Sequence, residues 1–510
     1  MTLARRVARI GLPVLGGALV GLSLPPLAPW PLGVIGMAIV ICSLSGRSWA
    51  GRLGAGLLAG LGQFAIGLAW AIQFNVAGYV VLVIAESAII GLGLSLTPGR
   101  GALRIPAAAA TLTLAEWVRE TWPFGGLPLG SATLGQMGGP LQFSARLGGP
   151  LLVLFTLALA GGGLGELVVA AATRPREDRP SLLSSLSFMM AAAALAGAGS
   201  VASPTISAAA SERPLRVAIV QGGGKRGLNQ LQVPPSTVFD AAVSETKQIR
   251  GHPDLILWPE DVVAMGSTPF EGSAVEAALA GIAREHHATL VAGVTQDVGR
   301  ASFLNEVVAI GPDGKIVATF EKVHRVPFGE YVPYRGFFSH LANLNDVSRD
   351  AMPGRGSGMV ATPAGRFAVL VSYEVFFADR GRSGVRAGGQ VILVPTNTSS
   401  YSNGQAPAQE IAASRLQALE EGRYVLQAAP TGYSAVISPS GVVLDRSALS
   451  TPGVIEATVP AIGSETPYET LGDLPVLIGA LALLALGWAV AGVSLPSNPI
   501  RRRRRRSPSR

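Results

Sequence analysis

Cysteine is almost absent from this 510-residue chain, where Cys42 stands alone. One thiol excludes an internal disulfide and the stability it would lend an outward-facing domain. Cys42 sits inside the apolar run 29–46, where a thiol serves as a small core residue and reaches no aqueous site, so no thiol catalyst is available. Charge is also scarce: 14% Asp, Glu, Lys and Arg, against about 25% in an ordinary soluble protein. His286-His287, His324 and His340 lack metal-ligand spacing with Cys, Asp or Glu, so neither a metal nor a cofactor is expected. No repeat recurs at a period of 20–50 residues, which excludes solenoids and propellers.

Long apolar runs are what the chain has instead, and 49% of it is hydrophobic. A helix rising 1.5 Å per residue needs roughly 17–25 apolar residues to cross about 30 Å of hydrocarbon. Eight runs meet that length: about 8–24, 29–46, 53–74, 78–97, 103–121, 148–172, 182–200 and 473–494. Arg5, Arg6 and Arg9 precede the first as in a signal peptide, but no small-x-small cleavage site follows, so it reads as a helix. Basic residues mark one side of the membrane: Arg5, Arg6, Arg9, Arg47, Arg52, Arg100, Arg104, Arg174, Arg176, Arg179 and the tail Arg501 to Arg506. Both termini are therefore expected in the cytoplasm, with the stretch after the seventh crossing outside. The tail holds seven of the eight net positive charges. It reads as a positive-inside clamp on the last span rather than a nucleic-acid or anionic-lipid site.

The expected division is a seven-helix membrane part over 1–200, a linker over 201–213 and an extracytoplasmic domain over 214–465. The last span over 473–494 and a basic tail over 495–510 complete it. Within 214–465 the pattern changes to short strands near 215–221, 254–258, 288–294, 304–310, 315–320, 366–372, 390–395, 424–429 and 433–438. Helices are predicted near 236–250, 272–287 and 406–421. Strands rich in Val, Ile and Leu without alternation are buried on both faces, and turns such as Pro312-Asp313-Gly314-Lys315 separate them. The predicted architecture is a polytopic helical membrane domain plus an α/β domain built as a two-sheet α-β-β-α sandwich.

Three candidate catalytic residues follow strands: Glu260 after Leu255-Ile256-Leu257-Trp258-Pro259, Lys322 after Ile316-Val317-Ala318-Thr319-Phe320, and Ser372 after Val369-Leu370-Val371. Strand ends are where open α/β sheets gather reactive groups. A carboxylate base, a cation for a developing oxyanion and a hydroxyl nucleophile are the parts of acyl transfer through an enzyme ester. Each alone is an ordinary solvated polar residue. Arg119, near the outer end of the fifth span, reads equally as a lipid-phosphate contact or as a side chain snorkelling to the headgroups.

With their flanks these residues resemble a known family. Val326-Pro327-Phe328-Gly329-Glu330-Tyr331-Val332-Pro333 looks like the signature of apolipoprotein N-acyltransferases within the nitrilase superfamily, and Glu116-Trp117-Val118-Arg119, Trp258-Pro259-Glu260, Tyr373-Glu374 and Gln417-Ala418-Leu419-Glu420-Glu421-Gly422-Arg423 extend the likeness. The resemblance implies a nitrilase-like fold and a multi-pass protein of the bacterial inner membrane. It implies a phospholipid acyl donor, a lipoprotein acceptor acylated on its amino-terminal cysteine, no nucleic acid, and action as a monomer. By the same resemblance Glu260 is the general base, Lys322 the oxyanion partner and Ser372 the nucleophile, with Glu330, Tyr373 and Glu374 supporting the substrate site.

The chain departs from that family at Ser372, where the family has cysteine. A thiol ionises near pH 8.5, whereas a hydroxyl needs a stronger base or a relay, and no Gly-x-Ser-x-Gly elbow surrounds Ser372. His324, two residues from Lys322, is a distant candidate for such a relay. The run Gly222-Gly223-Gly224-Lys225-Arg226-Gly227 lacks the spacing of a phosphate loop and reads as a flexible turn, and Pro430 stands where the family carries a polar residue. Two readings follow: an acyltransferase that uses serine, or a catalytically impaired relative that binds lipid or lipoprotein without turnover. A transporter is disfavoured by the scarcity of ionisable residues within the spans.

Overall fold

The computed structural model describes residues 3–172, 182–202, 214–228, 232–340, 347–461 and 465–493. The basic loop at 174–179, nearly all of the 201–213 linker and the 495–510 tail lie outside the described residues.

Seven helices come first: α1 (Leu3–Leu22), α2 (Trp30–Ser43), α3 (Trp49–Gly67), α4 (Val76–Ser95), α5 (Arg104–Thr121), α6 (Ala145–Ala172) and α7 (Leu182–Val201). Without a hydrophobic drive between helices in lipid, small residues must let backbones approach. Gly17 of α1 does so: a Cβ there would lie 1.8 Å from the Ala59 carbonyl oxygen of α3. The helix α5 is only moderately apolar because it has little lipid to face, and Ala107 to Ala110 are fully buried among its neighbours. Val76–Ser95, Pro140–Ala172, Leu182–Val201 and Leu474–Gly492 are long and apolar enough to cross a bilayer.

Arg119 neither contacts headgroups nor snorkels. Its side chain is fully buried, paired with Glu86 of α4 and, at 2.7 Å, with Glu116 one turn earlier on α5. Its guanidinium also lies 4.4 Å from the centre of the Phe64 ring. A buried cation needs such partners, and two carboxylates inside the bundle supply them. The remaining Arg119 donor, Nη2, binds the carbonyls of Leu127 and Leu129 at 3.1 and 2.9 Å, and so holds the loop after α5.

The chain continues through β1 (Leu215–Gln221), α8 (Pro235–Thr246), β2 (Leu255–Leu257), β3 (Val263–Ala264), α9 (Ala274–His286), β4 (Thr289–Val298), β5 (Ser302–Ile310) and β6 (Ile316–Glu321). Next come α10 (Arg335–Phe338), β7 (Asp350–Ala351), β8 (Met359–Thr362), β9 (Gly365–Val369), α11 (Ala378–Arg386), β10 (Val391–Pro395) and α12 (Gln405–Glu421). Then follow β11 (Val425–Ala428), β12 (Ala435–Ile437), β13 (Val443–Arg446), β14 (Gly453–Val459), α13 (Pro467–Leu471) and α14 (Leu474–Val493).

One sheet has the order β14-β1-β2-β4-β5-β6, with β3 on β4 and β7 on β5; the other runs β13-β12-β11-β10-β9-β8. Their inner faces meet in a core that joins Ile219, Leu257 and Val307 of the first sheet to Val369, Leu393 and Val436 of the second. The first sheet's outer face carries α8 and α9, and the second carries α11 and α12. The result is the expected α-β-β-α sandwich. Leu24, Leu134, Met137 and Val153 of the helical bundle join Ile411, Ala412 and Leu416 of α12 in one further core. The α12 layer is therefore covered on both sides, which explains why it is buried almost all round.

Candidate active site

Glu260 and Lys322 sit just past β2 and β6, neighbours of β4 and β5 in the first sheet. Gly293 on β4 lets the Glu260 segment come close: a Cβ at Gly293 would lie 2.5 Å from the Glu260 Cα and 2.7 Å from the Pro259 oxygen. Gly293→Ala is expected to push Glu260 out of place and to lower acyl transfer about tenfold or more, since a displacement near 1 Å is enough for such a loss. Product formation by purified protein checks this, with thermal unfolding as the control for folding.

Lys322 Nζ donates to Glu260 Oε1 at 2.9 Å and to Glu330 Oε1 at 2.7 Å. Asn305 Nδ2, on β5, reaches the same two oxygens at 2.9 and 3.0 Å. Glu330 Oε2 accepts from the Val326 amide at 2.8 Å, which closes the Val326–Val332 turn around its own carboxylate. Burial pulls Lys322 down, but the Glu260 and Glu330 carboxylates outweigh it and hold the ammonium well above its ordinary value. Lys322 is thus a permanent cation with one of its three donors unspent on carboxylates. Glu260 Oε2 has no hydrogen-bond partner among the described residues and remains open to a proton.

The second sheet brings Ser372. The apolar run predicts a strand over 366–372, whereas β9 stops at Val369 and Ser372 opens a 3₁₀ turn, Ser372–Phe376, with φ of +52°. Glu374 causes the early stop. Its Oε2 accepts from the Val371 amide at 2.8 Å, while Oε1 accepts from the Val323 and His324 amides at 2.9 and 3.1 Å. One buried carboxylate therefore ties the Ser372 turn to the residues that follow Lys322. Burial pushes the Glu374 carboxyl up, against Arg380 and the three amides, which favour its ionised form. A left-handed non-glycine residue held by buried neighbours marks a strained elbow of the kind that cluster at reactive sites.

Tyr373 points away from this turn and donates to the Gly126 carbonyl at 3.0 Å, and Tyr331 donates to the Phe124 carbonyl at 3.0 Å. Both hydroxyls grip the loop that Arg119 holds from inside the bundle. Burial raises the Tyr373 phenol well above its ordinary value, so it serves as a neutral donor.

His324 does not serve as a relay. Its ring lies 4.2 Å from the Phe377 ring, burial lowers its imidazole pKa, and it makes no side-chain hydrogen bond to Ser372 among the described residues. Three of the Gly222–Gly227 amides are spent on protein carbonyls: Gly223 on Pro430 at 2.7 Å, Gly224 on Ser450 at 3.1 Å and Gly227 on Ser399 at 2.8 Å. Arg226 binds the Tyr401 and Asn403 carbonyls at 2.7 and 2.8 Å, so this segment clasps neighbouring loops rather than a phosphate.

Sequence reasoning missed Asn305 and Thr396. Asn305 is a lone amide among the apolar residues of β5, a detectable signal. Thr396 follows β10 as the other candidates follow their strands, and its hydroxyl donates to Ser372 Oγ at 3.2 Å.

A model of carbon-nitrogen hydrolases matches residues 216–466, and one of the apolipoprotein N-acyltransferase N-terminal domain matches 16–163. The apolipoprotein N-acyltransferase of Mycolicibacterium smegmatis is 29% identical, over 95% of this chain and 87% of its own length. That of Azotobacter vinelandii is 28% identical over 93% of each chain. A nitrilase-superfamily protein of Saccharomyces cerevisiae aligns over 49% of this chain and 90% of its own, at 19% identity and a TM-score of 0.37. With the two family models placed in order along its length, the chain is similar over most of that length to the apolipoprotein N-acyltransferases.

Proposed function

We propose that this protein transfers a fatty acyl chain from a phospholipid to the amino-terminal cysteine amine of a lipoprotein through an ester on Ser372. One observation carries the reading: Glu374 fastens the Ser372 turn to the strand end that presents Lys322, and Lys322 is paired with Glu260. In this reading Ser372 Oγ attacks the donor's ester carbonyl and passes its proton to Glu260 Oε2. The spare Lys322 donor stabilises the oxyanion. The carbonyl–glycerol oxygen bond then breaks, and the proton on Glu260 moves to the departing oxygen, releasing a lysophospholipid. The acceptor amine attacks the Ser372 ester, forms the amide and restores the serine hydroxyl.

Glu330 and Asn305 hold Lys322 and Glu260 in place, and Tyr373 fixes the turn against the membrane part. All eight helices, α1 to α7 and α14, cross the inner membrane in this reading. The chain divides into 1–200, a linker over 201–213, an outer domain over 214–465, a last span over 473–494 and a cytoplasmic tail over 495–510. Both termini lie in the cytoplasm, and the monomer is the working unit. The direct hydrogen bonds between the Arg119-held loop and Tyr331 and Tyr373 support a fixed seat of the outer domain on the spans.

Incubation with phospholipid vesicles and a lipopeptide bearing a free amino-terminal cysteine amine tests the reading by mass spectrometry. The expected product is the lipopeptide with one added acyl chain, together with lysophospholipid, and both are absent with Ser372→Ala. Ser372 in the cysteine position favours the second reading, of an impaired relative that binds without turnover. Lipopeptide binding with no acylated product at any pH would support it and sink the first.

A further inference from the structure

A serine hydroxyl is harder to ionise than a thiol, so a site that uses one must stabilise its oxygen in some additional way. The surroundings of Ser372 contain a buried chain of hydrogen bonds that Glu260 and Lys322 do not account for. Thr396 Oγ1 lies 3.2 Å from Ser372 Oγ and is also bonded to Glu410 Oε1 of α12. Thr396 has a single proton, so it donates in one direction only and accepts from the other partner. The roles of the two Glu410 oxygens are set one step further along. Ser414 donates to Gln427 Oε1 at 2.6 Å, and Gln427 Nε2 donates to the Tyr433 carbonyl at 2.9 Å, which fixes how that amide faces. Gln427 Nε2 then also points at Glu410 Oε2, 3.3 Å away, making Oε2 an acceptor and leaving Oε1 as the oxygen that faces Thr396.

We propose that Glu410, as the neutral acid, donates to Thr396 and thereby turns the Thr396 proton onto Ser372 Oγ, so that Thr396 is a catalytic donor and Glu410 its positioning residue. This rests on the acyl-transfer reading of the site. As Glu260 takes the serine's proton, the Thr396 hydroxyl stabilises the oxyanion left behind, a help that a cysteine nucleophile would not need. The surroundings favour the neutral acid. Burial pushes Glu410 up to about 8, with Glu260 adding to the effect and the Thr396 hydrogen bond and Lys322 opposing it. The groups that face Glu410 are Thr396 after β10, Gln427 on β11, Tyr401 in the loop before α12, and Glu260 and Lys322 across the cleft. Above that value Glu410 ionises, the Thr396 proton turns to it, and Ser372 loses its donor.

The rate of acyl-adduct formation on the purified full-length protein, measured from about pH 6 to 9.5 with phospholipid vesicles, tests this. The native rate is expected to fall about tenfold per pH unit beyond about 8, the limb of a single ionisation. Glu410→Gln keeps an N–H donor facing Thr396 at every pH, so the alkaline limb should vanish while most of the rate at pH 7 remains. Thr396→Val should lower the rate roughly 10–100-fold, the size of one hydrogen bond to a developing charge, and Thr396→Ser should restore it. In a Ser372→Cys background, Thr396→Val should change the rate less than about threefold. An unaltered alkaline limb in Glu410→Gln, or a native rate in Thr396→Val, overturns the relay and leaves the acyltransferase reading standing. No adduct in the native protein overturns both.

Discussion

Ser372→Cys is expected to raise acyl transfer by roughly 10–100-fold at pH 7 to 8. A thiol near its ionisation range supplies thiolate without help, and its thioester is a better acyl donor to an amine than an ester is. The geometry imposes no obstacle. The turn is held by Glu374 through the Val371, Val323 and His324 amides, none of which involves the side chain at 372. The Thr396 hydroxyl becomes superfluous in the variant, so its pH profile should follow the thiol and lose the limb attributed to Glu410. Steady-state N-acylation of a lipopeptide reads both effects. A rate below that of the native protein would mean that the cleft is shaped for serine in a way that the hydrogen bonds described above do not capture.

Lys322→Met has the second large effect, and it falls on stability as well as on rate. The two carboxylates of Glu260 and Glu330 share Asn305 and Lys322, and only Lys322 brings positive charge. Removing it leaves buried like charges without a counterion, expected to cost about 3–5 kcal/mol of folding stability. Those charges push carboxylate pKa values up in the folded variant. With a folded pKa raised above the unfolded one, the variant is most stable below the unfolded value and loses stability as pH rises through the folded one. The deficit relative to native protein should therefore be smaller at pH 5 than at pH 8, which thermal unfolding at the two values checks. Acyl transfer should fall by about 10²–10³, the loss typical of one oxyanion donor. Equal deficits at both pH values would mean that Lys322 is not what offsets the two carboxylates.

Much of the outer domain was legible because strands buried on both faces read as short apolar runs between turns, and β1, β2, β4, β5, β6, β10, β11 and β12 all lie within about four residues of their predicted bounds. What escaped was structure whose reason lies elsewhere in the chain. The helix α11 holds three arginines and two glycines, a poor helix on propensity alone. It forms because Arg382 binds the Tyr468, Glu469 and Thr470 carbonyls and because Arg380 lies 3.4 Å from Glu374. Nothing in the sequence of α12 sets Glu410 apart from Glu420 and Glu421. Glu410 is buried because α12 lies over the second sheet and turns it towards Thr396 and Gln427. Arg119 was misread for the same reason, since its partner Glu86 lies on another helix. Glu260, Lys322, Glu330 and Glu374 were found through their order after strands and their motif. Thr396 carries the same positional signal and Asn305 stands inside β5, and neither has a charge to draw attention.

The central claim is that Ser372 is a working nucleophile, and intact-protein mass spectrometry after brief incubation with phospholipid tests it most directly. The account predicts a mass increase of one fatty acyl chain, mapped to the peptide containing Ser372, absent in Ser372→Ala and discharged when an acceptor lipopeptide is added. An unmodified Ser372 under conditions where the Ser372→Cys protein is fully acylated would contradict it, leaving a cleft that binds its substrates and does not react.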